Sequence, residues 1–164
     1  MSDLVPLELV GVRLELPTNT PIVLLRELPG TRYLPIWIGA AEATAIAYAH
    51  EGVEPPRPQT HDLLKLLVDT LDAEVERVVV TALVNGIFHA DLHLRHDGTG
   101  VVVGCRPSDA IALAVRTDSP LFAQPEVLDD AGVEIRDENE EEEVERFRRF
   151  LDDVTPEDFT AEQS

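Results

Sequence analysis

Asn85 and Gly86 restrict the fold more than any other two residues of this chain. An Asn-Gly pair accepts positive φ at both central positions of a type I′ turn, whose twist matches that of two paired antiparallel strands. The flanking residues agree. Residues 73–84 centre on Val78, Val79 and Val80. Residues 87–95 alternate, with Phe88, Ala90, Leu92 and Leu94 on one face and His89, Asp91, His93 and Arg95 on the other. A half-buried β-hairpin is predicted.

The preceding residues read as a β-meander. Residues 7–16 form a strand with Val10, Val12, Leu14 and Leu16 on one side, and further strands are predicted over 22–28 and 33–38. Pro29-Gly30 turns between the last two. The alanine-rich stretch 40–51 reads as a helix stopped by Gly52. Prolines 55, 56 and 58 forbid regular structure. Thr60 is then predicted to N-cap a helix over 61–71 whose apolar face is Leu63, Leu64, Leu67 and Leu71. After the hairpin, Asp97-Gly98 turns into a short edge-like strand at 101–103. Ser108 caps a buried helix to about 116, and a strand at 121–123 and a helical turn after Pro125 follow. Strands and three to four helices make this an α+β chain, with a mixed, mostly antiparallel sheet.

Of the 164 residues, 44% are hydrophobic and only 5% aromatic, so the core must be aliphatic. The net charge is −19, and both parts of the chain contribute. Residues 1–133, read as one domain, carry nineteen acids and nine bases; residues 134–164, read as an acidic tail, carry thirteen acids and four arginines. After an acid run over 137–143, Val144, Phe147, Phe150, Leu151 and Val154 recur at helical spacing with Arg146, Arg148 and Arg149 between them. That pattern predicts a short amphipathic helix that docks on the body or on a protein partner. Nucleic-acid binding ordinarily rests on a basic footprint. Here Lys65 is the only lysine, so phosphate contacts fall to a few arginines or a bound metal.

Cys105 is the only cysteine, which forbids an internal disulfide and fits a reducing compartment. The first residues lack a basic segment followed by a long apolar one, and no apolar run approaches about 20 residues. A cytoplasmic protein with no membrane span is expected.

Two segments place polar groups where a helix begins: Arg57-Pro58-Gln59-Thr60-His61-Asp62 and Arg106-Pro107-Ser108-Asp109. Free N–H groups at a helix N-terminus form an anion site, and arginine adds a bidentate fork. A histidine beside an acid offers general acid–base chemistry. The structural alternative is equally concrete. Thr60 and Ser108 cap helices, Asp62 and Asp109 favour the helix dipole by about 0.3–1 kcal/mol each, and the arginines pair those acids. His89, Asp91 and His93 share a strand face at a spacing that suits a metal, though a solvent-facing strand shows the same pattern. His50 and His96 have no demanding context. A lone cysteine such as Cys105 is more often packing than nucleophile.

The stretches LPIWIGAAEATAIA, RPQTHDLL and RPSDAIALAVR, in this order and spacing, resemble the bifunctional nuclease family over about residues 7–133. The resemblance implies a roll-like α+β domain that assembles into homo-oligomers, and nuclease activity on DNA and RNA. The positions it carries over are Glu42, Arg57, Thr60, His61, Asp62, Arg106, Ser108 and Asp109. This chain has Gly104-Cys105 where the family commonly has Asp-Ala, so one acid is missing, and Gln59 replaces a usually apolar residue.

Two functions are expected from these features. In a nuclease, His61 is the general base or a metal ligand, Asp62 and Asp109 orient it or hold Mg2+ or Mn2+, and Arg57 and Arg106 stabilise transition-state charge. In a binding or regulatory module, the same pocket holds an anionic ligand or a partner's acidic group, a reading that the net charge of −19 favours.

Overall fold

The computed structural model describes residues 3–134, in chain order β1 (Val5–Glu15), β2 (Thr20–Glu27), β3 (Arg32–Trp37), α1 (Ala40–Glu51), α2 (Thr60–Thr70), β4 (Ala73–Val84), β5 (Ile87–His96), β6 (Thr99–Cys105), α3 (Pro107–Thr117), β7 (Leu121–Ala123), α4 (Pro125–Ala131) and β8 (Val133–Glu134). The predicted tail helix lies outside the described residues.

The eight strands form one curved sheet in the order β6-β5-β4-β7-β1-β2-β3-β8. The β4–β7 pairing is parallel and the other pairings are antiparallel. The mixed, mostly antiparallel α+β sheet expected from the sequence is what forms. Asn85 and Gly86 both take positive φ, 52° and 77°, and close the β4–β5 hairpin.

The core is aliphatic. Leu25, Leu34, Ile46, Ile111, Leu128, Val23, Val78, Val80 and Val127 are its largest fully buried side chains. Each such burial is worth roughly 1.5–3 kcal/mol. Helix α3 runs between α1 and α2 and buries Ala110 through Ala114. Alanines let its backbone approach both neighbours and the sheet closely. At one end of the sheet, Glu27 is buried and takes Arg32 in a two-point pair, while Arg32 also reaches Asp129 of α4 at 2.9 Å. The Arg32 hydrogen bonds hold the Glu27 carboxyl below its ordinary range despite burial.

Several expectations are corrected. A β-bulge between Leu9 and Gly11 shifts the register of β1, so Leu7, Leu9 and Val12 pack on the core and Val10 does not. β6 is longer than predicted, and the helical turn after Pro125 is a two-turn helix. Most of the leucine face assigned to α2 is not core: Leu63, Leu67 and Leu71 are between 48% and 64% exposed, Leu64 is half-buried, and Leu66, not assigned to that face, is 47% exposed. His61 is the only buried residue of that helix.

Candidate functional site

α2 begins one residue earlier than a Thr60 cap requires. Gln59 is the N-cap residue, and its N–H donates to Asp62 Oδ2 at 2.9 Å, one leg of a capping box. Thr60 is therefore the first helical residue. α3 is corrected in the same way. Arg106 is its N-cap in extended conformation, Pro107 takes the first helical position where its missing N–H costs nothing, and Ser108 sits inside the first turn, buried.

The two helix starts meet beside the start of α1. An open cleft of about 910 Å³ is lined by Glu42, Ala45, Arg57, Thr60, His61, Leu63, Leu66, Arg106 and Asp109, among others. Inside it His61 Nε2 lies 2.9 Å from Asp109 Oδ1. Arg106 grips the same carboxylate through both nitrogens, Nε to Oδ2 at 2.9 Å and Nη2 to Oδ1 at 3.0 Å. Its Nη2 also reaches Glu42 Oε1 at 3.1 Å. Burial pushes the Asp109 carboxyl up, but the hydrogen bonds from Arg106 and His61 outweigh it and leave it below its ordinary range. An ionised Asp109 only accepts. In the neutral ring of His61 the proton therefore sits on Nε2, and Nδ1 is left as the basic nitrogen.

Arg57 and Arg106 are both exposed cations of this cleft, but Arg57 has no hydrogen bond or ion pair among the described residues. Arg106 is spent on Glu42 and Asp109; Arg57 is not spent on anything. Burial raises the Cys105 thiol to about 11, aided by the charges of Asp109 and Asp91, so it is not a ready nucleophile.

Asp62 and Ser108 are placed elsewhere. Asp62 does not line the cleft; its Oδ1 accepts from Arg116 Nε at 2.8 Å, and Arg116 is itself almost fully buried. That hydrogen bond, then the Gln59 N–H, holds the Asp62 carboxyl low. Ser108 faces a neighbouring cleft beside Trp37, Gly39 and Phe88. Arg116 was not singled out from the sequence. The signal was there, a lone arginine ending the apolar run Ala110–Val115.

The cation site expected at Asp62 and Asp109 does not form. Both oxygens of each carboxylate are already taken, by Arg116 and the Gln59 N–H in one case and by Arg106 and His61 in the other. Among the described residues no group of three or more His, Cys, Asp or Glu is placed to hold a metal ion, and this includes His89, Asp91 and His93. Mg2+ or Mn2+ does not fit these donors. Gly104, where the family acid is missing, pairs with Asp91, while Cys105 pairs with the buried Ala90. The missing acid thus belongs to the sheet face turned away from α3.

A family model described as the bifunctional nuclease domain matches residues 23–136. The chain belongs to that family. An uncharacterized protein of Mycobacterium tuberculosis is 47% identical over 160 residues, covering 93% of this chain and 96% of the relative. Two Arabidopsis thaliana proteins, Bifunctional nuclease 1 and Bifunctional nuclease 2, are 33% and 34% identical over 105 and 112 residues, or 62% and 65% of this chain. The matched part is only 32% and 34% of their own lengths. No described helix is long and apolar enough to cross a membrane.

Proposed function

We propose that the cleft hydrolyses phosphodiester bonds in DNA or RNA, with His61 as general base. The observation that carries this is the His61–Asp109–Arg106 relay beside the unpaired Arg57. Arg57 binds the phosphate. His61, oriented by Asp109, takes a proton from water as the new P–O bond forms and the bond to the leaving oxygen breaks. That proton returns to the leaving oxygen or to solvent. Arg57 offsets charge on the phosphoryl oxygens, and Arg106 holds Asp109 against His61. Glu42 positions Arg106. The names of the Arabidopsis relatives and the family match support the same reading. The test is cleavage of labelled DNA and RNA by chromatographically clean protein, with His61→Ala prepared in parallel. Equal activity in both preparations would mean a contaminating nuclease and would sink the proposal.

One observation favours a second reading. The acids of the cleft are already neutralised by Arg106, and Arg57 alone suffices to hold an anion without cutting it. A binding module then predicts phosphate or oligonucleotide binding that Arg57→Ala abolishes, with no cleavage by the wild type.

A homo-oligomer is proposed as well. β6 is an edge strand whose Val101, Val102 and Val103 are all exposed, which is unusual for an unpaired edge. Light scattering that returns the monomer mass across micromolar concentrations would overturn it.

A further inference from the structure

The exposed leucines of α2 form a continuous stripe at i, i+3, i+4 and i+8, about 12 Å long at the helical rise. A surface helix ordinarily turns such a stripe inward. Here it faces outward because α2 rests on α3 and β4 through its other side. We propose that its occupant is this chain's own tail, through Val144, Phe147, Phe150, Leu151 and Val154.

Four observations select that occupant. The tail stripe spans about 15 Å at helical rise, matching the α2 stripe in length. Three of the chain's five phenylalanines lie past residue 134, an apolar load that fits a docked segment. The charges permit it: Asp72 stands just past the carboxyl end of α2, which has no basic residue in its last turn, Asp69 is paired with Lys65, and Arg146, Arg148 and Arg149 interleave with the tail's apolar positions beside Glu145, Asp152 and Asp153. The reach is also sufficient. The sheet order puts β8 five strand spacings from β4, about 24 Å along the sheet. Residues 135–143 extend to about 30 Å. The alignment with the Mycobacterium tuberculosis relative covers 93% of this chain and so reaches into the segment past residue 136.

The test is disulfide trapping in the full chain. In a Cys105→Ser background, cysteines replace Leu67 or Leu71 on α2 and Phe147, Phe150 or Leu151 in the tail, one pair at a time. Asp97→Cys, at the far hairpin turn, replaces the α2 position in the control. Oxidation at low micromolar concentration should give a fast-migrating intramolecular product for at least one α2 pair, formed at least tenfold faster than for the control. Covalent dimers would overturn the proposal by assigning the tail to a second copy. Rates no different from the control would overturn it too. An independent readout is amide exchange of residues 63–71 in the Phe147→Ser/Phe150→Ser chain. It should accelerate at least tenfold while β4 stays protected; unchanged exchange would count against the proposal whatever the cysteine variants do.

Discussion

Arg57–Asp62 and Arg106–Asp109 both carry an arginine, a proline and an acid into the first turn of a helix, yet their acids work in opposite directions. Asp109 turns into the cleft and orients His61. Asp62 turns away from it and anchors α2 to Arg116 at the end of α3. The arginines are reversed as well: Arg106 is committed to Glu42 and Asp109, while Arg57 is uncommitted. Each segment gives one group to chemistry and one to scaffolding. His61 depends on both, since α2 carries it and Asp109 aims it.

The largest effect should come from the cleft. His61→Ala should lower cleavage per folded molecule about 100- to 10,000-fold, the usual contribution of a general base. Asp62→Ala should do the reverse. It leaves the buried Arg116 unpaired, so unfolding free energy should fall by about 3 kcal/mol in denaturant titrations, while activity per folded molecule is largely kept. An Asp62→Ala protein that melts normally but is inactive would erase the contrast between the two acids. Arg57→Ala should weaken anion affinity about tenfold, and the slope of log affinity against log salt should shrink by about one. Its melting temperature should not move, because Arg57 has no partner to lose.

The smallest effect is in pH. Asp62 is held below its ordinary value in the folded chain, so its contribution is fully present above the unfolded value of about 3.9 and is lost as pH falls through the folded one. The stability difference between the wild type and Asp62→Asn should therefore be constant near neutrality and shrink below about pH 4. Melting curves that stay parallel through that range would mean that Arg116 does not depress Asp62.

The strands were legible because their signals are local. Asn85-Gly86 fixes a turn, and the alternation of Phe88 through Arg95 fixes a face. The caps were missed by one residue at α2 and by two at α3 because threonine and serine are common caps, whereas Asp62 bonds back to Gln59 and Pro107 claims the first helical position. The two pairings that separate Asp62 from Asp109 were out of reach. Asp62–Arg116 and His61–Asp109 join residues 54 and 48 positions apart, and no periodicity records which acid meets which base. The α2 leucines show the opposite failure. Their spacing was read with Leu64 where the exposed stripe has Leu66, and spacing says only that a face is apolar, not that something already covers it.

The two ends of the sheet are not alike. At one margin, β8 covers only Arg32 and Tyr33, and the neighbouring β3 carries Pro35, which has no N–H to offer a further strand. At the other, β6 has neither proline nor charge. Growth by strand addition needs two receptive margins, one to join and one to be joined. With a single receptive margin, two copies meeting through β6 in the oligomer proposed above would consume it in both, and addition would stop at a closed, symmetric pair instead of running on into a fibre.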